Sequence, residues 1–396
     1  MRQLNRNHNK VKKWILYFIF LFASVYAQDN RLRLIRADVL ENVTINGESI
    51  QYLKGNVEFK KGEMTMNCNW ARFNKKTEKG FLFENVSMVK DDQNLTCDSL
   101  FVDSPKNIMI AYSNTHVWDT TYSLIADTLY YFSELDSGSA NGNATLVQDK
   151  QIIKSNTIEY VELPESDGVS YAARGDVIIT EEERIATCGE AIYDRENGKT
   201  VMKINPKIID NEQTIAGSEI YLSYNDDVLD RVFIPSDAHV TNPINGFREW
   251  IEVIDGDSVS YSDSVNFSDD MTGSALRGFF IDGKLDSMRL EGMATTLYHI
   301  FEDSIYQGKN KASGDTIQMK FKDNDLETIF ISGGSEGIYT PDSADAQMEG
   351  PIKYKSEDIE YNMSDESTDL HGDASICLLY TSPSPRDGLL SRMPAS

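Results

Sequence analysis

Three cysteines occupy equivalent places in the chain: Cys68 lies between Met66 and Ala71, Cys97 between Leu95 and Leu100, and Cys188 between Ala186 and Ala191. Thiols at fixed spacing could ligate zinc, attack an electrophile or pair as disulfides. Zinc sites draw on ligand pairs close in sequence, and neither a CxxC pair nor a Cys/His cluster is present. Elsewhere the same place is filled by Ala126, Ser155 and Gly217, so one reading is a small side chain at a tight position. A second reading stands beside it. Cys68 and Cys97 belong to consecutive copies of a motif, and copies one strand apart would bring their Cα atoms within disulfide range.

The other reactive residue types are scattered. His116, His239, His299 and His371 stand at neither HExxH nor triad spacing with a serine elbow. The acidic runs Glu181-Glu182-Glu183, Asp269-Asp270 and Asp323-Asn324-Asp325 offer oxygen ligands without a calcium-loop pattern, so they read as solvated turns. Gly333-Gly334-Ser335-Glu336-Gly337 lacks the Lys and following helix of a phosphate loop and reads as a turn. No copy of the motif departs from the rest as a pair of glycosidase carboxylates would require. No catalytic residue, metal site or cofactor is expected.

The elements that position these residues repeat. An aliphatic residue, a spacer, a small residue, a polar residue, a spacer and a second aliphatic recur as Met66…Cys68-Asn69-Trp70-Ala71, Leu95…Cys97-Asp98-Ser99-Leu100 and Leu124…Ala126-Asp127-Thr128-Leu129. Further copies are Ile153…Ser155-Asn156-Thr157-Ile158, Ala186…Cys188-Gly189-Glu190-Ala191 and Ile215…Gly217-Ser218-Glu219-Ile220. With a first copy ending at Leu40, the last residues fall at 40, 71, 100, 129, 158, 191 and 220, and four of the six intervals equal 29. Chance placement would not give that. Later units lengthen toward 40 residues. Asp-Ser/Thr-aliphatic triplets such as Asp127-Thr128-Leu129 resemble O-glycosylation acceptors, but the repeat alone already predicts them.

Each unit reads as strand, turn, strand. Met64-Thr65-Met66-Asn67 alternates with period two, and turn clusters such as Lys60-Lys61-Gly62-Glu63 separate the runs. No later window holds helical periodicity, so the fold class expected is all-β. A single unit cannot bury its apolar side; stacked units, each advancing one strand spacing, would bury a continuous stripe. Unpaired end strands would accept another copy or another protein.

Residues 1–27 read as a cleaved secretory signal, with Arg2, Arg6, Lys10, Lys12 and Lys13 before the apolar run Trp14 to Phe22. Removing those five cations takes the net charge from −25 to −30, which repels nucleic acid. At 40% hydrophobic residues the chain still has material for a core. From Cys377 to Ser396 the acidic repeat gives way to a Pro/Ser tract that resembles a translated sequencing adapter, so the natural chain is expected to continue past 376. The domains expected are a signal at 1–27, repeats at 28–225, longer repeats at 226–376 and an artefact at 377–396.

The segments "GNVEF…MNCNWARF", "TCDSLFV", "IADTLYY", "GDVII…TCGEAIYD" and "LETIFISGG" resemble the OstA-like family, the LptA-type periplasmic lipopolysaccharide-transport proteins, across nearly all of 31–376. The length is similar to that of the longer Bacteroidota members. The resemblance implies an elongated, open β-jellyroll whose apolar groove shields lipid A acyl chains, with no bond chemistry and a periplasmic location. Its implied partners are lipopolysaccharide, other transport components docking on edge strands, and further copies head to tail. The groove candidates are Met66, Leu95, Leu124, Ile153 and Ile215, with Ala71, Leu100, Leu129, Ile158 and Ile220. The alternative for either set is an ordinary closed core. Two other roles stay open: the periplasmic start of an outer-membrane translocon, and a surface β-repeat adhesin or scaffold.

Overall fold

The computed structural model describes residues 31–378, apart from 133–134, 163–168, 211, 226–227, 255–256, 324, 343–349 and 365–366. The signal segment and the tail from 379 lie outside the described residues. The described residues divide into two compact units, with the boundary between Ala111 and Tyr112.

In the first unit, β1 (Arg33–Arg36) and β2 (Val39–Ile45) both pair with β3 (Glu48–Lys61). An antiparallel meander continues through β4 (Met64–Asn74), β5 (Lys79–Lys90) and β6 (Gln93–Asp103). A 3-10 turn, Ser104–Lys106, leads into β7 (Ile108–Trp118), within which the boundary between units falls.

The second unit meanders in the same way through β8 (Tyr122–Phe132), β9 (Ser137–Gln148), β10 (Gln151–Glu162), β11 (Val169–Glu181) and β12 (Arg184–Asp194). The next strands are split at the bend, with β13 (Lys199–Lys203) and β14 (Lys207–Asp210) both pairing with β12. β15 (Gln213–Ala216) follows β14, β16 (Glu219–Asn225) follows β13, and β17 (Val228–Ile234) pairs with β16. Longer strands come next: β18 (Ala238–Ile254), β19 (Asp257–Gly273), β20 (Ala275–Ile281), β21 (Lys284–Glu302), β22 (Ile305–Lys322) and β23 (Asp325–Pro341). β24 (Ile352–Asn362) pairs with β23 and with both β25 (Ser367–His371) and β26 (Ser375–Leu378). Over the described residues the protein is all-β, a repeat jellyroll.

The bend explains the repeat. Successive residues with positive φ occur at Gly55-Asn56, Glu84-Asn85, Ser113-Asn114, Gly142-Asn143, Gly175-Asp176 and Ile204-Asn205. Their second members step by 29, 29, 29, 33 and 29, the steps of the sequence signature from Ala71 onward. Asn and Asp hold most second places because the left-handed region strains other side chains. The signature's polar residue braces this kink from the neighbouring strand. Asp38 N–H donates to Gly55 O at 2.9 Å, while Asn56 Nδ2 donates to Asp38 Oδ2 at 2.8 Å. In the second unit Asn143 Nδ2 donates to Asp127 Oδ2 at 2.9 Å, and Gly189 N–H to Ile204 O at 2.9 Å.

The kink also resets the alternation of faces. Met66 and Ala71 are five apart, which on a flat strand puts them on opposite sides. Here Met64, Met66 and Cys68 before the bend, and Ala71 and Phe73 after it, are all buried. Each strand thus has two arms whose apolar sides face one interior. Phe59 on one arm and Phe73 on the other meet across it, ring centroids 5.3 Å apart.

A 29-residue unit is a complete hairpin, so it advances two strand spacings and not one. That decides the cysteines. Cys97 pairs with Val86 of β5, and Asn67 and Trp70, flanking Cys68, pair with Ser87 and Phe83 of the same strand. β5 therefore lies between the two thiols, and two spacings of ~4.8 Å exceed the ~7 Å that a disulfide tolerates. Cys68 and Cys97 are both buried thiols. Burial pushes the Cys68 thiol up to about 11, and Cys188 likewise to about 11, so neither is a ready nucleophile.

Candidate functional site: the interior cavity of the second unit

The arms are latched together along part of their length. In the first unit Lys61 Nζ on one arm donates to Ser104 O at 3.1 Å and to Asn107 Oδ1 on the other. In the second, Tyr122 OH donates to Glu162 Oε1, Val169 N–H donates to Gln148 Oε1 at 2.8 Å, and Arg195 pairs with Asp149 at 2.7 Å. Further along, Tyr354 OH lies 2.6 Å from both Asn310 Oδ1 and Tyr361 OH, and the Tyr298 and Tyr361 rings meet edge to face.

Between these latches the arms stand apart around a cavity of about 720 Å³, within the ~300–1,000 Å³ typical of ligand sites. One wall carries Ile179, Ile208, Ile215, Val240 and Met271; the facing wall carries Met202, Leu222, Leu229, Val232, Leu276, Met288 and Met319. The hairpin tips differ in kind. Gln151, Glu181, Arg184, Asp210 and Gln213 at the tips, with Asn242 and Asp269 from within β18 and β19, edge the first arm, whereas Phe280, Leu285, Phe321, Leu326 and Met363 edge the second. Arg184 and Asp210 form a half-exposed ion pair at 2.9 Å. Asp269 accepts from His299 Nδ1 at 2.9 Å and from His299 N–H at 2.8 Å. Burial raises the Asp269 carboxyl above its ordinary range, and these bonds partly oppose that. Burial also lifts the Tyr224 and Tyr298 phenols to about 12, so both stay neutral hydroxyls at the cavity wall. The site is an apolar slot with one polar lip and one greasy lip.

Residues 29–93 and 75–218 match the family model described as OstA-like protein. Over residues 29–218 the chain belongs to the OstA-like family. Among solved structures a match is the crystal structure of LptH, the LptA homologous periplasmic component of the conserved lipopolysaccharide transport device from Pseudomonas aeruginosa. It is 13% identical, covering 35% of this chain and 80% of that one, with a TM-score of 0.18. Among curated proteins nothing matches.

The ten groove candidates of this OstA-like protein all lie on inward-facing sides of the arms. Met66, Ala71, Leu95 and Leu100 in the first unit, and Leu124, Leu129, Ile153, Ile158 and Ile220 in the second, are at most 1% exposed and packed. Only Ile215 among the ten lines the cavity. The cavity's other walls escaped sequence reasoning because they sit in the lengthened later units, where the signature is faint. A usable signal was present in the Phe, Leu and Met residues beside hairpin turns, such as Phe280, Leu285 and Phe321, where earlier tips are polar.

Proposed function

We propose that this OstA-like protein binds lipopolysaccharide in the periplasm, shields the lipid A acyl chains in its interior and carries them toward the outer membrane. The observation that carries this reading is the apolar cavity held open between two sheet arms that are latched on either side of it. Each acyl methylene moved from water into that slot gains about 0.8 kcal/mol, so ten are worth about 8 kcal/mol. The polar lip around Arg184, Asp210 and Gln213 suits the sugar and phosphate side of an amphiphile, and the opposite lip suits its tails.

The packed candidates extend the same inward rows, so Leu124 or Ile153 would meet acyl chains only when the arms part. Among the described residues the outer strands β1 and β2 pair only with β3, and Val39, Leu40, Val43 and Ile45 are exposed. That edge suits a strand from a transport partner or from a second copy. A photo-crosslinking residue at Leu222 or Met288 should capture lipopolysaccharide in cells. Exported protein that yields no adduct at either position would remove the transport reading.

A further inference from the structure

The cavity wall on the first arm is two cross-strand rows wide. Traced through the strand pairings from β11 to β19, the inner row runs Ile179↔Ala186↔Ile208↔Ile215↔Val240↔Met271. The outer row lies two residues away on every strand. Glu181 pairs with Arg184, Asp210 with Gln213 and Asn242 with Asp269. Ile185 pairs with Ile209, which sets Arg184 beside Asp210, and Thr214 pairs with Thr241, which sets Gln213 beside Asn242. Residues two apart on a strand share a face, and every member of both rows lines the cavity. Neighbours within a row are one strand spacing apart, ~4.8 Å. An apolar row thus runs across the strands with a polar row alongside it.

Polar residues beside a hairpin turn need no special account. Asn242 and Asp269 are different. β18 and β19 pair without a register shift from Ala238↔Gly273 to Ile254↔Asp257, so Asn242↔Asp269 sits inside the ladder and no turn dictates its polarity. The two ends of the row also differ in how they are satisfied. Gln151 Nε2 donates to Glu181 Oε2 at 3.1 Å, and Arg184 donates through Nε and Nη2 to Asp210 Oδ2 at 3.0 and 2.9 Å. That end is paired within the protein. At the other end the Gln213 and Asn242 side-chain amides have no hydrogen-bond partner among the described residues. Asp269 takes both of its bonds from His299 on Oδ1, which leaves Oδ2 without a partner among the described residues. Two neighbouring amides and a carboxylate oxygen therefore edge the apolar slot with their hydrogen-bonding capacity unused.

These groups select one kind of ligand atom. An amide offers N–H donors and a carbonyl acceptor, and a carboxylate oxygen accepts, so together they match hydroxyl groups, which both donate and accept. Phosphate oxygens call for cationic donors. Arg184 is the cation of the row and is committed to Asp210, against the three carboxylates of Glu181, Asp210 and Asp269. We propose that Gln213, Asn242 and Asp269 form a hydroxyl-binding subsite that seats the sugar of a glycolipid head group and leaves its phosphates off the row. This rests on the acyl-binding reading of the cavity. The inner row, two residues or ~7 Å along each strand, takes the tail of the same molecule.

The test compares dodecyl glucoside with dodecyl phosphate, which share a tail and differ in the head, by titration calorimetry on the intact exported chain below micelle-forming concentrations. The parent protein should bind the glucoside about tenfold more tightly than the phosphate. Gln213→Met combined with Asn242→Leu keeps side-chain size and removes no protein hydrogen bond. It should weaken the glucoside about tenfold and leave the phosphate within about twofold of the parent. Circular dichroism checks that this variant is folded; if it is not, the two single variants carry the test, each weakening the glucoside about threefold. Phosphate binding as tight as glucoside binding in the parent overturns the subsite and leaves the cavity reading standing. A glucoside preference that survives in the folded variants overturns it as well. Failure of the parent to bind either ligand removes the cavity reading and the subsite with it.

Discussion

Replacing Gly333 by Ala tests the kink as the source of the repeat, because its neighbour supplies an internal control. Gly333 and Gly334 share one bend and both have positive φ, +85° and +69°. A Cβ on Gly334 meets nothing within 4 Å, whereas a Cβ on Gly333 lands 2.6 Å from both Cβ and Oδ2 of Asp315, the bracing residue on β22. Gly334→Ala therefore carries only the left-handed strain, about 1–2 kcal/mol. Gly333→Ala carries the same strain plus an overpacking cost of about 1–3 kcal/mol, since Asp315 Cβ is tied to the backbone and cannot swing aside. The expected gap between the two is roughly 1–3 kcal/mol. Urea melts followed by circular dichroism would show it as a lower midpoint at unchanged slope. Hydrogen exchange on β22 and β23 would localise the loss if the rungs open separately. Adding Asp315→Gly to Gly333→Ala should recover part of the gap by removing the struck Cβ. Equal destabilisation by the two alanines would refute the claim that the signature's polar residue is packed against the kink.

Two further outcomes follow from the packing. In folded protein Cys68, Cys97 and Cys188 should resist a disulfide reagent and react only after denaturation; oxidation that removes Cys68 and Cys97 as a linked pair in folded protein would contradict the strand order. Tyr354→Phe deletes the hydroxyl between Asn310 and Tyr361 and should cost about 1–3 kcal/mol by leaving buried polar partners unmet. A thermal melt unchanged from the parent would show that this latch does not hold the arms.

The OstA-like character, the all-β class and the hairpin unit were legible in the sequence because each rests on local chemistry. Period-two alternation, turn residues and the 29-residue step all act within one hairpin, and the chain repeats them. Cys68 and Cys97 show where local reading stops: the step fixes that they are equivalent, but only the pairing places β5 between them. The five-residue spacing of Met66 and Ala71 is similar. Sequence marks both as apolar, and the left-handed kink on the neighbouring strand turns both inward. The cavity was decided by tertiary structure alone. Whether two apolar arms touch or stand apart depends on side chains far apart in sequence, such as Tyr122 with Glu162 and Tyr298 with Tyr361, which latch the arms on either side of the slot. Local periodicity sets which side of a strand is apolar, but the distance between two such sides is set by the bulk and hydrogen bonds of residues that meet only after folding.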